Sequence, residues 1–464
     1  MLNYKRVHFI GIGGIGMSGI ARLLLSLGFE VTGSDLKRSE ITRALEKEGA
    51  RIYYGHHPHH VEGAEVVVYS SAIRADNPEL RRAQELGLRV VPRAQMLVEI
   101  MALHRYNIAV AGAHGKTTTS SMIASVLTNA GLRPTVAVGG KVNGFNENAW
   151  LGQRDYLVAE ADESDGSFLR MTPTVAVVTN IDAEHLDFYE DLEAVKGAFY
   201  NFFERVRPDG LLVICLDDPH LQDLYRQGLP RRVITYGFHP EAEVRGHILE
   251  EGPTAIFEVS HAGRYLGEVQ LAIPGRHNVQ NALAAVAVGL ELGLPFEEIA
   301  CGLANFTGVR RRLEIKGDTG EVLIIDDYAH HPTEIKTTIA ALKATYPERR
   351  LVILFQPHRY TRTKALFEDF VRAFDEADVL LITEIYPAAE TPIPGVTGER
   401  LYAALKKRRG KETYFAETKE VLLARALHLL APGDVVVTMG AGDVYRVAEA
   451  LTEELGARER EEVA

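Results

Sequence analysis

The sequence predicts an α/β protein of three domains, because a short apolar strand entering a tight loop and then a helix recurs in three places. The first is residues 7–10, followed by Gly11-Ile-Gly-Gly-Ile-Gly-Met-Ser-Gly19. The second is residues 108–111, followed by Gly112-Ala-His-Gly115 and Lys116. The third is residues 322–327, followed by Tyr328-Ala-His-His-Pro-Thr-Glu334. The expected division is a Rossmann-like domain over 1–104, a central P-loop ATPase-type domain with a mostly parallel sheet over 105–312, and a second Rossmann-like domain over 313–464. The three units share no register that would imply a solenoid.

Composition narrows the class. The chain has 464 residues, 46% apolar and 25% charged, a soluble globular balance. A formal net charge of -12 argues against a broad nucleic-acid or anionic-membrane surface. Cys215 and Cys301 sit in apolar sequence, so neither a disulfide framework nor a Cys-rich metal site is expected. The chain enters a strand without a signal peptide, and its most apolar run, 281–294, is too short to span a bilayer. A cytoplasmic protein without stable membrane insertion is expected.

In the first domain, the spacing Gly11-x-Gly13-x-x-Gly16, with Gly14 between, opens a helix and is followed by a strand ending at Asp35. That arrangement places a diphosphate at a helix N-terminus. NAD is one candidate and a nucleotide-sugar diphosphate another, with Ser34 and Asp35 placed to meet a ribose or a uracil edge. Ser70, Ser71 and Arg74 fall just past the end of a later strand, where open α/β sheets take their ligands. His56, His57, His59 and His60 surround Pro58 with no flanking carboxylate set, and are read as a solvated loop.

In the second domain, Gly112, Ala113, His114 and Gly115 turn into a helix that begins at Lys116 and runs to about residue 129. Unpaired N–H groups at such a turn suit a phosphate, Lys116 adds a mobile charge, and the Thr117 hydroxyl suits Mg²⁺, with Thr118 next in line. The full Walker pattern asks for Gly where Val110 stands, so the loop is a shortened form. Gly139-Gly140 reads as a second turn near the phosphate. Residues 156–159 form a strand leading into Glu160-Ala-Asp-Glu-Ser-Asp165. Glu160 is the leading magnesium ligand, with Asp162, Glu163 and Asp165 competing. His185, near Asp182 and Glu184, suits a metal, a phosphate or a substrate contact. Asn278 and Asn281 share one face at a helix start, able to read an adenine edge, while Asn278 is equally placed to cap the helix. Of Arg310-Arg-Arg312, Arg310 is singled out to face the nucleotide.

In the third domain, Asp327 and His330 suit ribose hydroxyls or phosphate. Arg359 and Arg362, three apart after a strand, can converge on one carboxylate. Residues 452–464 read as a charged, fraying tail.

A phosphate loop, a magnesium acid, a second anion loop and a carboxylate grip suit ATP-driven joining. Phosphorylating a carboxylate gives a mixed anhydride; a neutral amine must then reach it while water is kept out. Three domains closing on two substrates would achieve this.

These stretches, with Ser70-Ser-Ala-Ile73, Pro92-Arg-Ala-Gln-Met-Leu97, Asn180-Ile-Asp-Ala-Glu-His-Leu-Asp187, Gly275-Arg-His-Asn-Val-Gln-Asn281 and Gln356-Pro-His-Arg-Tyr-Thr-Arg362, resemble the bacterial Mur ligase family over essentially the full length. The resemblance implies peptidoglycan synthesis, with ATP and Mg²⁺ (or Mn²⁺) as cofactors. It implies UDP-N-acetylmuramate on the first-domain Gly loop, Lys116 and Thr117 at the γ-phosphate and metal, Glu160 and His185 as metal-site residues, and Asn278 and Asn281 at the adenine. Arg310, Asp327 and His330 become nucleotide or closure residues, and Tyr328, His358, Arg359 and Arg362 the amino-acid side. Lys116, His185 and Arg359 are the expected catalytic set. Several family members carry a carbamylated Lys where this chain has Tyr200, with Lys196 one turn earlier. The alanine-adding branch is similar in lacking it, which implies L-alanine as the second substrate. A ligase that attaches a preformed tripeptide has similar motifs. A non-catalytic nucleotide-sugar-binding regulator is the reading from another class, against which Lys116, Thr117 and Glu160 together argue. A monomer or weak dimer is expected.

Overall fold

A computed structural model of the protein describes residues 2–70, 72–143, 147–153, 155–185, 188–388, 390–410 and 412–463, with side chains to 457. The first sheet has five strands, β1 (Arg6–Ile10), β2 (Glu30–Asp35), β3 (Arg51–Tyr54), β4 (Val66–Tyr69) and β5 (Arg89–Pro92), in the order β3-β2-β1-β4-β5. All its pairings are parallel. The chain reverses direction across the sheet between β1 and β4, which opens a crevice at their C-terminal ends.

The second sheet has ten strands: β6 (Tyr106–Ala111), β7 (Thr135–Ala137), β8 (Ala149–Trp150), β9 (Tyr156–Glu160), β10 (Val175–Val178), β11 (Leu211–Cys215), β12 (Arg232–Gly237), β13 (Val244–Glu250), β14 (Ala255–His261) and β15 (Arg264–Leu271). Their order is β15-β14-β13-β12-β11-β10-β6-β9-β7-β8. The middle strands β6, β10 and β11 are almost wholly buried, as near-continuous Val/Ile/Ala/Leu runs between two helical layers must be.

The third sheet has β16 (Glu314–Asp318), β17 (Leu323–Asp327), β18 (Leu351–Phe355), β19 (Val379–Thr383), β20 (Thr413–Ala416) and β21 (Val435–Met439), ordered β16-β17-β21-β18-β19-β20. Only the edge strand β16 runs antiparallel, against β17. Alternation sorts its two cores. Leu323, Ile325, Ile353, Phe355 and Val437 pack on one face, and Ile324, Val352, Leu354 and Val436 on the other.

The chain divides into two compact units, Met1–His247 with Glu258–Val269 and Gln280–Phe306, and Ile248–Phe257 with Gln270–Val279 and Thr307–Ala464. The expected α/β class, with mostly parallel sheets, holds. Three local expectations do not. The charged tail continues a helix, Tyr445–Val463, because Glu, Arg and Ala are strong helix formers. Cys301 is exposed, although its sequence neighbours are apolar. The histidine loop folds into a 3₁₀ turn, Pro58–Val61, with carboxylates against it.

Candidate active site

The phosphate loop forms because β6 ends in residues that tolerate unusual backbone. Gly112 has φ +131 and Gly115, which caps the helix Lys116–Asn129, has φ +82. A Cβ on Gly112 would collide with Thr179 Oγ1, and one on Gly115 would stand 2.8 Å from Asn281 Oδ1. The end of β10 fixes the loop from below. Thr179 Oγ1 and Asn180 Nδ2 donate to the His114 carbonyl at 2.5 and 3.0 Å, and His114 N donates to Asn180 Oδ1 at 2.8 Å. The His114 ring meets Asp182 at 2.9 Å.

Lys116 Nζ donates to the Gly112 carbonyl at 2.6 Å, to Ala113 at 3.2 Å and to both oxygens of Glu163 at 2.8 Å. Burial alone would lower its pKa; Glu163, with Asp162 behind it, more than reverses this, so the ammonium stays charged. Burial pushes Glu163 up to about 7 against the pull of Lys116. Glu160, at the end of β9, accepts from Gly139 N at 2.5 Å and from the Thr117 hydroxyl. Burial raises its pKa as well. Thr118, next in the helix, is buried.

A half-buried carboxylate against a helix-start hydroxyl is a donor set suited to a hard divalent cation. His185 stands among other carboxylates. Its Nε2 lies 3.7 Å from Glu163 and from Glu184, and these three residues form a second group of donor atoms within 4.8 Å of one another. His185 holds φ +56, a strained backbone for a non-glycine residue. Lys196 pairs with Glu193 at 3.0 Å on the helix Leu192–Arg205, which also carries Tyr200.

In the first domain, Gly11 N and Ile12 N donate to the Ser34 carbonyl at 2.9 and 3.0 Å, and Gly13 N to Asp35 Oδ2 at 2.9 Å. A Cβ on Gly13 would stand 2.7 Å from that oxygen, and one on Gly11 within 4 Å of Ser70 and Ile73. The Gly loop, with Gly14 capping the helix Ile15–Ser26, thus faces the Ser70 turn across the crevice. Ser71 lies outside the described residues. At Gly16 the missing side chain makes room for the Arg93 guanidinium, whose Nη2 donates to Asp162 Oδ2 at 3.0 Å. Burial would raise Asp162, but Lys116 and Arg93 hold it at about 2. Arg93 therefore links the helix of the Gly loop to the acids beside Lys116.

Asn278 and Asn281 both lie on the helix Arg276–Glu291 and both are buried. Asn278 lies within the first turn of the helix, and its Nδ2 donates to the Pro274 carbonyl at 2.7 Å. The arginine triplet is divided. Arg311 donates to Asp326, Gly440 and Gly442, and Arg312 to Glu334, while Arg310 is exposed.

Asp327 accepts from Leu313 N and Ala329 N, and burial, opposed by Arg312, raises it to about 6. Tyr328 and His330 meet edge to face, as do His330 and His358. His358 stacks on Tyr386 with centroids 5.6 Å apart and planes 7° off parallel. Burial first, then His330, Arg362 and Arg359, push its pKa down to about 3. A neutral His358 accepts at Nδ1 from Arg362 Nη1 at 3.4 Å. Arg359 has φ +68, and its Nε is buried without a hydrogen-bond partner among the described residues. A strained arginine with an unmet buried donor is chemically able to receive a carboxylate.

Sequence reasoning did not single out Arg93 or Tyr386, named Glu184 only as a neighbour of His185, and ranked Glu163 below Glu160. Arg93 and Tyr386 follow the ends of β5 and β19, which was the available signal.

Family models described as "Mur ligase family, catalytic domain", "Mur ligase middle domain" and "Mur ligase, glutamate ligase domain" match residues 6–105, 110–289 and 311–442. The UDP-N-acetylmuramate–L-alanine ligase of Desulfatibacillum aliphaticivorans is 53% identical over 444 residues, covering 96% of this chain and 97% of the relative. That of Syntrophobacter fumaroxidans is 52% identical over 454 residues, 97% and 96%. The crystal structure of the UDP-N-acetylmuramate–alanine ligase of Thermotoga maritima superposes with a TM-score of 0.82 at 30% identity, covering 98% of this chain and 99% of that one. A murein peptide ligase of Psychrobacter arcticus gives 0.72 at 25% identity, covering 97% and 98%. With three consecutive domain models and full-length relatives in agreement, the chain belongs to the Mur ligase family.

Proposed function

We propose that the protein is an ATP-dependent ligase that joins L-alanine to the lactyl carboxylate of UDP-N-acetylmuramate through an acyl phosphate, giving UDP-N-acetylmuramoyl-L-alanine, ADP and phosphate. It would do so in the cytoplasm, during peptidoglycan synthesis, as a monomer or weak dimer. What carries the substrate assignment is the identity of about half to relatives bearing that name, over nearly the whole chain. What supports the chemistry is the phosphate loop with a charged Lys116 and a Thr117–Glu160 pair beside it. No helix among the described residues is long and apolar enough to cross a membrane.

In this reading residues 1–104 bind the nucleotide sugar, 105–312 bind ATP, and 313–464 bind the amino acid. The N–H groups at the start of the helix Lys116–Asn129 and the Lys116 ammonium would hold the terminal phosphates in line with the lactyl carboxylate. Asn278, Asn281, Arg310, Asp327 and His330 would address the rest of the nucleotide. Thr117 and Glu160, with Glu163, Glu184 and His185 as a second donor group, would hold Mg²⁺ or Mn²⁺, whose charge offsets that of the phosphates. Arg359 and Arg362 would grip the α-carboxylate of L-alanine beside Tyr328 and a neutral His358, leaving its amine to attack the acyl carbon. Phosphate departs as the amide forms, and the amine must lose one proton to a base.

The test is product formation from UDP-N-acetylmuramate, ATP and Mg²⁺ with either L-alanine or L-alanyl-γ-D-glutamyl-meso-diaminopimelate. A UDP-N-acetylmuramoyl-L-alanine mass with L-alanine supports the assignment; a product with the tripeptide alone replaces it.

A further inference from the structure

The first domain holds a polar cluster that the ligation chemistry does not use. Glu79, near the start of the helix Pro78–Glu85, is fully buried. Its Oε2 accepts from Ser34 Oγ at 2.5 Å and lies 3.4 Å from His8 Nε2; its Oε1 accepts from His57 N at 3.1 Å and meets His60 Nδ1 at 2.6 Å. His56 Nδ1 is 3.1 Å from Ser34 Oγ and 3.5 Å from Glu79 Oε2. His60 also stacks on Tyr53, 4.3 Å between centroids. Replacing such an ionic group with apolar side chains is often neutral or stabilising, so stability alone does not account for it.

Its connections point to the ligand crevice. Ser34, held by Glu79 through its hydroxyl, accepts Gly11 N and Ile12 N at its carbonyl. The next residue, Asp35, holds Gly13 N. Glu79 itself is reached through the turn that begins at Ser70, the opposite wall of the same crevice. One carboxylate therefore ties together the end of β2, the histidine turn after β3 and the helix after β4. We propose that Glu79 is a positioning residue for the nucleotide sugar, setting the Gly11–Gly14 loop through Ser34 and fixing its distance from the Ser70 turn. The inference rests on the first domain's binding UDP-N-acetylmuramate. It predicts that loosening Ser34 raises the requirement for that substrate and leaves the ATP and L-alanine steps alone.

The experiment is steady-state kinetics on the full-length enzyme as Ser34→Ala and Glu79→Gln, varying each substrate in turn, with thermal melting as a folding control. Ser34→Ala removes one hydroxyl and keeps the backbone acceptor. Glu79→Gln sets an amide donor among groups that donate. The expected result is a KM for UDP-N-acetylmuramate raised about tenfold or more in each folded variant, with kcat and the other two KM values within about twofold. A purely structural role would lower the melting temperature without that split. Folded variants whose KM for UDP-N-acetylmuramate stays within twofold, or whose loss falls on kcat alone, overturn the proposal. If Glu79→Gln does not fold, Ser34→Ala decides, because Ser34 is fully buried with its hydroxyl on Glu79 and so makes no direct ligand contact. A native enzyme that shows no calorimetric binding of UDP-N-acetylmuramate would sink the functional reading first, and this inference with it.

Discussion

Lys116 sits where a phosphate loop needs a cation, yet two loop carbonyls and Glu163 occupy its three protons. A nucleotide bound at this loop would have to draw the ammonium away from some of these partners. Lys116→Ala should lower kcat by at least about 10²–10³-fold, the cost of removing one preorganised charge at a developing oxyanion, and a variant with native ligation rates would refute its role. His358 makes a prediction of another kind. With its pKa near 3, the ring stays neutral from pH 5 to 8, so its NMR resonances should not titrate there; a midpoint near 6 would contradict the neutral acceptor for Arg362. Glu79 is held at about 2 by His8, Ser34 and His60 acting against burial. A carboxylate depressed from 4.5 stabilises the fold above about pH 4.5 and loses that contribution as pH falls towards 2. The unfolding free energies of native protein and Glu79→Gln should therefore differ most at neutral pH and converge below pH 3, a gap readable by urea titration.

Loops and strand ends show which parts were legible. A strand–loop–helix signal is local, so Gly112–Gly115, the Gly11–Gly16 spacing and Glu160 at a strand end could be read from the chain. Gly112→Ala should abolish the loop's function with little change in the rest of the fold, since φ +131 and the Thr179 hydroxyl both exclude a Cβ; retained activity would show that another backbone serves. What could not be read depends on elements far apart in sequence. The histidines at 56–60 read as solvated because Glu79, which gathers His56, His57 and His60, arrives by way of a later helix. Arg93 is likewise visible only once Gly16 and Asp162 are placed around it. A double-mutant cycle on Arg93→Ala and Asp162→Ala, read as kcat/KM for UDP-N-acetylmuramate, should show a coupling of about 1–2 kcal/mol; simple additivity would separate the two residues.

Across the whole chain, three sheets of five, ten and six strands each end in a candidate binding loop, and three consecutive family models cover the same order. Alternating strand and helix patterns made the class readable, and the apolar runs of β10, β17 and β21 made their burial readable. Substrate choice was carried by resemblance, since a pocket for one methyl group leaves no pattern in a sequence. A single methyl is worth about 1–3 kcal/mol, so glycine and L-serine should react at roughly 10- to 200-fold lower kcat/KM. The most direct measurement is phosphate release with UDP-N-acetylmuramate, ATP and Mg²⁺, comparing L-alanine, glycine, L-serine and the tripeptide in parallel. Release that depends on UDP-N-acetylmuramate and is fastest with L-alanine is the predicted result. Release that ignores UDP-N-acetylmuramate, or that needs the tripeptide, would contradict an alanine-adding ligase.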